Sequence, residues 1–471
     1  MKNTSFQHWT TSELPSRRSK KTTIYSALHF ILPCLFVALS CTPRPLQLDR
    51  WDKSQGYRFE TLDVGEGNTD ETFVFVSFSG GGTRAAALAY GVLLGLEAMP
   101  VGEASMLDEV DMISSVSGGS FSAMAYGLWG KDMFDGRFEE RFLRQNVLLD
   151  LVLQAVNPVR LLLLPLPAYD SIDLAANYYH QRIFEQSTYA DLIRRNRRPF
   201  VELNATDTTR KQTFGFTQDE FDLLGSDLAT LPTSRAVAAS SAFPILLSPM
   251  RLEYYPGGVM EAAVQHELDQ RIGLFKTRRR RWAESLLLNG SDPTNPPQLD
   301  YEKHKYLYLM DGGVSDNLGL HAFFREYGTG CIRKRIEEGR IKRLIVVIVD
   351  AATEKPGDLE QSVFAPGWGT SLLATLGSGV ENNSKLTSAA VHYLVHQMPY
   401  DVEINHGDLE TLVVDVDLRS VSSPNLLDQF MSMATSFVLP DRDITALIKR
   451  GKTQILENDD LRRISKSIKQ H

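Results

Sequence analysis

Apolar and polar positions along the chain recur as strand, small-residue turn and helix. Thr72-Phe73-Val74-Phe75-Val76 is an apolar run of strand length. Ser77-Phe78-Ser79-Gly80-Gly81-Gly82-Thr83-Arg84 follows, and then an Ala- and Leu-rich segment from Ala85 to Met99. The order predicts a strand at 72–78, a glycine loop, and a helix at about 83–99. The pattern repeats at once: Val110 to Val116 predicts a buried strand, Ser117-Gly118-Gly119-Ser120 a turn, and Phe121 to Trp129 a helix. Two such units in succession predict a parallel sheet covered by helices.

Residues 135–198 are mostly helical by pattern. Leu148 to Pro167 is unusually apolar within them, and two readings stand: a buried helix hairpin, or an interfacial lid that docks on a membrane. Arg194-Arg195-Asn196-Arg197-Arg198 reads as a solvated helix end, closed by Pro199. Phe200 to Asn204 and Phe214-Gly215-Phe216 predict strands. Residues 261–303 read as an insertion. Its basic run Arg278-Arg279-Arg280-Arg281 beside Trp282 suits a solvated helix face, or contact with anionic lipid head groups. Tyr306 to Met310 predicts a strand ending in Asp311-Gly312-Gly313, with a helix from about Asn317. Leu344 to Val349 is a continuous apolar run of the kind buried on both faces. Leu412 to Val416 predicts another strand, and the tail from about Asn425 is helical and charged.

The composition fits a globular chain: 471 residues, 43% hydrophobic and 23% charged. A formal net charge of -8 argues against a general nucleic-acid binder. The start of the chain reads as targeting. Arg17-Arg18-Ser19-Lys20-Lys21 is a basic region, Ile24 to Leu39 is apolar, and Ala38-Leu39-Ser40-Cys41 precedes Thr42-Pro43. A Cys after Ser40 resembles a bacterial lipoprotein box, with Cys41 as the lipidated residue. Plain secretion and a retained signal anchor are the other readings. All three place the protein in a bacterial cell envelope, either membrane-anchored or periplasmic and secreted. Cys34 and Cys41 lie in this region, which leaves Cys331 alone in the body of the chain and excludes a disulfide framework after processing.

Three features carry chemistry. Consecutive glycines between a strand and a helix leave backbone N–H groups exposed at a helix N-terminus, where an anion is favoured. No Gly-Lys-Ser/Thr follows Gly80, Gly81 and Gly82, and Gly-x-Gly-x-x-Gly spacing is absent, which weakens a nucleotide reading. Ser117 in Ser115-Val116-Ser117-Gly118-Gly119 approximates the Gly-x-Ser-x-Gly nucleophile elbow, with Ser115 in place of the leading Gly. Its other reading is a helix N-cap. Glycine-loop amides facing a Ser on the next strand would form an oxyanion hole, each donor lowering the barrier by roughly 3–4 kcal/mol. Asp311, at a strand end, is the better candidate base if burial raises its pKa, although His304 and His321 leave a triad open. There is no clustered His/Cys metal site in the sequence.

Taken in order, Ser79-Gly80-Gly81-Gly82-Thr83-Arg84, Ser115-Val116-Ser117-Gly118-Gly119 and Asp311-Gly312-Gly313 resemble the patatin-like phospholipases, relatives of cytosolic phospholipase A2. Ala205-Thr206-Asp207 and Ala239-Ser240-Ser241-Ala242-Phe243-Pro244 agree with that resemblance, which covers about 70 to 350. Ser115 for Gly and Ala85 for the Gly after Arg84 depart from it. The resemblance implies a three-layer α/β/α fold with a mainly parallel sheet, and a Ser–Asp dyad without histidine. Ser117 would be the nucleophile, Asp311 the general base and acid, Gly80, Gly81 and Gly82 the oxyanion hole, and Arg84 a loop brace or substrate contact. It implies no metal and no cofactor, and a lipid or phospholipid substrate met at a membrane surface. The expected layout is a targeting segment at 1–41, a linker at 42–70, a catalytic domain at 71–355 with insertions at about 135–198 and 261–303, and a mostly helical extension at 356–471 packed on it. The function expected is a serine lipid acyl hydrolase. A catalytically silent lipid- or partner-binding protein of the same fold, or an acyltransferase using the same site, are the alternatives.

Overall fold

The structure, a computed structural model, describes residues 56–155, 171–243, 247–253, 305–328, 331–353, 368–400 and 409–468. The targeting segment with Cys41, the 261–303 insertion, His304, and the 156–167 part of the apolar stretch lie outside the described residues.

Eight strands form one sheet: β1 (Thr72–Phe78), β2 (Val110–Val116), β3 (Phe200–Asp207), β4 (Gln212–Gly215), β5 (Met250–Glu253), β6 (Tyr306–Asp311), β7 (Arg343–Asp350) and β8 (Glu410–Asp417). Their order is β8-β7-β1-β2-β3-β6-β5, with β4 paired to β3. From β8 to β3 every pairing is parallel, whereas β4 and β6 pair antiparallel with β3, and β5 antiparallel with β6. The result is a mainly parallel sheet between helical layers, the three-layer α/β/α arrangement.

Helices that position the site are α1 (Gly82–Glu97), α2 (Gly118–Trp129), α3 (Val147–Ala155), α4 (Thr233–Ser240), α5 (His321–Gly328), α6 (Trp368–Gln397) and α7 (Asp441–Leu456). Every residue of β1, β2 and β3 is buried, which requires cover on both faces. Side chains alternate across β1. Phe75 meets the Phe323 ring of α5 at 5.4 Å on one face. Phe78 lies against Gly119 of α2 on the other. Helix α7 packs backbone to backbone on α1: a Cβ on Gly91 would run into the Ile448 carbonyl, and one on Gly451 would lie 2.5 Å from Leu88 O. The C-terminal part of the chain thus supplies an edge strand, β8, and a helix of the same body.

The basic run at 194–198 is not uniformly solvated, contrary to the expectation from its sequence. Arg194 is exposed, but Arg198 is buried and paired with Asp111 at 2.7 Å and Asp70 at 2.9 Å. Arg195 donates to the Tyr126 carbonyl at 2.8 Å. A run of like charges has no helical side of its own. Here the chain turns into β3, and that turn carries two of the guanidinium groups inward to waiting acceptors.

Candidate active site

Strand β2 ends at Val116, and the next residue turns sharply. Ser117 has φ 49° and ψ -117°. A positive φ in a residue with a Cβ is strained by about 1–3 kcal/mol and persists only where neighbours enforce it. Two glycines make the turn feasible. A Cβ on Gly118 would collide with the Gly82 carbonyl oxygen, and one on Gly119 would sit 2.7 Å from Phe78 Cβ. Helix α2 therefore starts in contact with the end of β1. Ser115, which stands where the elbow pattern has Gly, is buried with its hydroxyl 3.2 Å from Ser120 Oγ and 3.4 Å from the Glu202 carbonyl. The turn forms with this serine in place.

Asp311 arrives at Ser117 because β6 runs backwards. β3 extends past the end of β2: Val116 pairs with Asn204, while Ala205 to Asp207 continue beyond. Strand β6 descends along that extension and pairs Asp311 with Ala205. Its C-terminal end thus stops level with the Ser117 turn. Ser117 Oγ donates to Asp311 Oδ2 at 2.9 Å, and Gly313 N–H donates to Asp311 Oδ1 at 2.8 Å. Burial pushes the Asp311 carboxyl from 3.8 up to about 6, against the two hydrogen bonds, which favour the ionised form. Such a carboxyl is ionised at neutral pH, yet more basic than an exposed aspartate. His321 is not a partner for Ser117: its Nδ1 lies 2.8 Å from Thr213 Oγ1.

The glycine loop is pinned on both sides. Ser79 N–H donates to Val349 O at 3.0 Å, and Thr83 N–H to Ser436 O at 2.8 Å. Gly80 N–H donates to the Asn317 carbonyl at 3.0 Å, which removes it from the donors expected to face a substrate. The reason is that Asn317 follows the Asp311 turn and meets the loop from across the sheet. The amides of Gly81 and Gly82 have no hydrogen-bond acceptor among the described residues. Gly81 has φ 140° and Gly82 φ 61°, and a Cβ on Gly82 would strike the Ser436 carbonyl. Arg84 is buried beneath the loop. It donates from Nε to Ala351 O at 2.7 Å, from Nη1 to Met433 O at 2.7 Å, and from Nη2 to Thr435 Oγ1 at 3.1 Å. Burial lowers its pKa to about 10, with the Asp350 charge opposing. With all three nitrogens engaged, the geometry suits a brace rather than a substrate contact.

Glycine loop, strained serine and carboxylate meet at one edge of the sheet, in the order the motifs occur in the chain. Residues 76–269 match the family model of the patatin-like phospholipases. This patatin-like segment holds the glycine loop and Ser117 and ends before Asp311. No curated protein matches the chain. Solved structures similar to it include human GIVD cytosolic phospholipase A2, at 14% identity, 85% of this chain, 63% of that one and a TM-score of 0.44. The same human protein in complex with methyl gamma-linolenyl fluorophosphonate is similar at 16% identity, 84% and 60% coverage and a TM-score of 0.41. VipD from Legionella pneumophila is similar at 11% identity, 81% and 67% coverage and a TM-score of 0.28. The chain spans less than two thirds of the length of the human structures.

Around Ser117 and Asp311 lies a cavity of about 1750 Å³. Gly80, Gly81, Gly82, Arg84, Ser117 and Asp311 all line it. Apolar lining comes from Leu148, Phe243, Met431 and Phe437, and charged lining from Lys385, Asp417 and Arg419. Leu148 is the second residue of helix α3, whose Leu149, Val152 and Leu153 are exposed, 48–56% for the last two. The described part of the apolar stretch is therefore not a buried hairpin. Two contributors escaped the sequence reading. Asn317 acts through its carbonyl, and residues 433–436 act mainly through theirs, so neither residue type signals its role. Among the described residues there is no group of three or more His, Cys, Asp or Glu able to hold a metal. Cys331 is buried, and its thiol pKa is raised well above the usual value by that burial.

Proposed function

We propose that the protein is a serine lipid acyl hydrolase, a phospholipase A or lipid esterase. The observation that carries this reading is the 2.9 Å hydrogen bond from Ser117 Oγ to Asp311 Oδ2, beside the free amides of Gly81 and Gly82. The patatin-like family match supports lipid hydrolysis in general terms, and the cavity has room for an acyl chain. Ser117 Oγ attacks the ester carbonyl carbon while its proton passes to Asp311. The carbonyl oxygen becomes an oxyanion and takes hydrogen bonds from Gly81 and Gly82. Asp311 returns the proton to the leaving alcohol, giving an acyl-enzyme on Ser117. Water, deprotonated by Asp311, then attacks the acyl-enzyme and releases the fatty acid and the free serine. A carboxyl with a pKa of about 6 suits both halves of this cycle near neutral pH.

The exposed apolar side of α3 continues from the cavity lining, which supports approach to a lipid surface. No helix among the described residues is long and apolar enough to cross a membrane. The basic, apolar and Cys41 pattern at the start of the chain supports a bacterial cell-envelope location, with Cys41 as the lipid-bearing residue. Metabolic labelling with a fatty acid that is lost in Cys41→Ser tests that assignment. An organophosphonate probe tests the activity: it should label Ser117, and Ser117→Ala should abolish both labelling and ester hydrolysis. Full hydrolysis by Ser117→Ala would overturn the reading.

A further inference from the structure

A third segment, to which neither residue belongs, hydrogen-bonds to the main chain around both Ser117 and Asp311. Helix α4 ends at Ser240 under the site, and the turn that follows meets the main chain of both residues. Ser240 Oγ accepts the Ser117 N–H at 2.9 Å. The Ser240 carbonyl accepts the Gly312 N–H at 3.1 Å, and the Ala242 carbonyl accepts the Asp311 N–H at 3.1 Å. Ser240 Oγ also donates to Asn204 O at 2.6 Å, and Asn204 is the residue in register with Val116. A hydroxyl has one proton to give. With that proton on Asn204, the Ser120 hydroxyl, 2.9 Å away, is the donor to Ser240. Ser115 Oγ lies 3.2 Å from Ser120 in turn. The serine that replaces the elbow glycine thus joins a hydroxyl chain that ends on the nucleophile's own backbone.

Ser240 is fully buried and does not line the cavity, so it does not touch a substrate. Its contacts fall where the backbone most needs them. Ser117 is the residue before α2, and its N–H has no place in that helix's ladder. Its positive φ has to be held by neighbours. We propose that Ser240 is a positioning residue, whose hydroxyl holds the strained Ser117 backbone while its carbonyl holds Gly312, so that one turn sets the nucleophile against its base. The part of this that concerns rate rests on the hydrolase reading.

Ser240→Ala removes the hydroxyl and leaves both carbonyl contacts in place. The first readout needs no turnover. In hydrogen exchange followed by mass spectrometry, the Ser117 amide is protected in the unaltered protein and loses that protection in Ser240→Ala. The second uses a water-soluble p-nitrophenyl acyl ester. Here kcat falls about 10- to 100-fold with KM nearly unchanged, the size expected for a small misplacement of a reacting group. Fluorophosphonate labelling slows by a similar factor. Ser234→Ala is the control, since that hydroxyl is buried on the same helix without a hydrogen-bond partner among the described residues. It keeps both exchange and rate. Ser240→Cys, close in volume and a weaker acceptor, moves in the same direction if the alanine variant does not fold. An unprotected Ser117 amide in the unaltered protein, or unaltered exchange and labelling in the Ser240 variants, overturns the proposal. Absence of labelling in the unaltered protein overturns the hydrolase reading instead, and the exchange measurement still decides the clamp.

Discussion

Asp311→Asn should make the protein inactive and, at neutral pH, more stable. Burial lifts the folded-state carboxyl from 3.8 to about 6. Between those values the folded protein holds a proton that the unfolded chain has lost, so stability falls as pH rises through the window. The gap corresponds to about 3 kcal/mol, fully present as a penalty above pH 6 and absent below pH 3.8. Asparagine cannot ionise and fits the same space. Its oxygen can accept the Gly313 N–H and its amide can donate to Ser117, at a loss of about 1 kcal/mol for weaker hydrogen bonds. The expected net gain is about 2 kcal/mol at pH 7.5, and it reverses to a loss of up to about 1 kcal/mol near and below pH 4, where the ionisation penalty has gone and only the weaker hydrogen bonds remain. Denaturant unfolding of both proteins at the two pH values measures it, with p-nitrophenyl ester turnover followed alongside. A variant that is less stable at pH 7.5, or a stability difference that does not change with pH, would refute the reasoning. Either result would mean that the carboxyl is not held against its own ionisation.

The same carboxyl fixes the acid limb of activity: kcat/KM should rise about tenfold per pH unit to a plateau, with its midpoint near 6, and a flat profile from pH 5 to 8 would exclude Asp311 as the base. Gly82→Ala places a methyl against the Ser436 carbonyl at φ 61° and should lower kcat about 10²-fold or more through loss of an oxyanion donor, so near-normal kcat would remove Gly82 from that role. Replacing Leu149, Val152 and Leu153 together by Ser should weaken sedimentation with anionic phospholipid vesicles and leave hydrolysis of a soluble ester unchanged; unaltered vesicle binding would exclude α3 as the docking face.

Much of the fold was legible because its central strands are short apolar runs bounded by small residues. Thr72 to Phe78 and Val110 to Val116 each lead directly into glycines and then a helix, and strands buried on both faces follow from such runs. The direction of a strand is different. Tyr306 to Asp311 alternates buried and half-buried positions, and that pattern reads the same whichever way the strand runs. Its antiparallel course alone brings Asp311 level with Ser117. The donors of the glycine loop were legible as a group but not one by one, since the Gly80 amide is taken up by the Asn317 carbonyl, a backbone group more than two hundred residues away.

The sequence by itself determined which residue types could do the chemistry and that two of the three motifs would lie at the ends of neighbouring strands. This is local information: a strand that ends in Gly or Ser leaves backbone and hydroxyl groups bare wherever it is placed. The tertiary structure decided which of those groups stay bare. Arg84 is turned inward by the carbonyls of Met433 and Ala351, Thr83 is anchored by Ser436, and Ser117 is held by Ser240. Each of these partners lies more than a hundred residues away and acts largely through a backbone carbonyl or a hydroxyl. Such groups occur throughout the chain, so only the folded arrangement distinguishes the ones that matter.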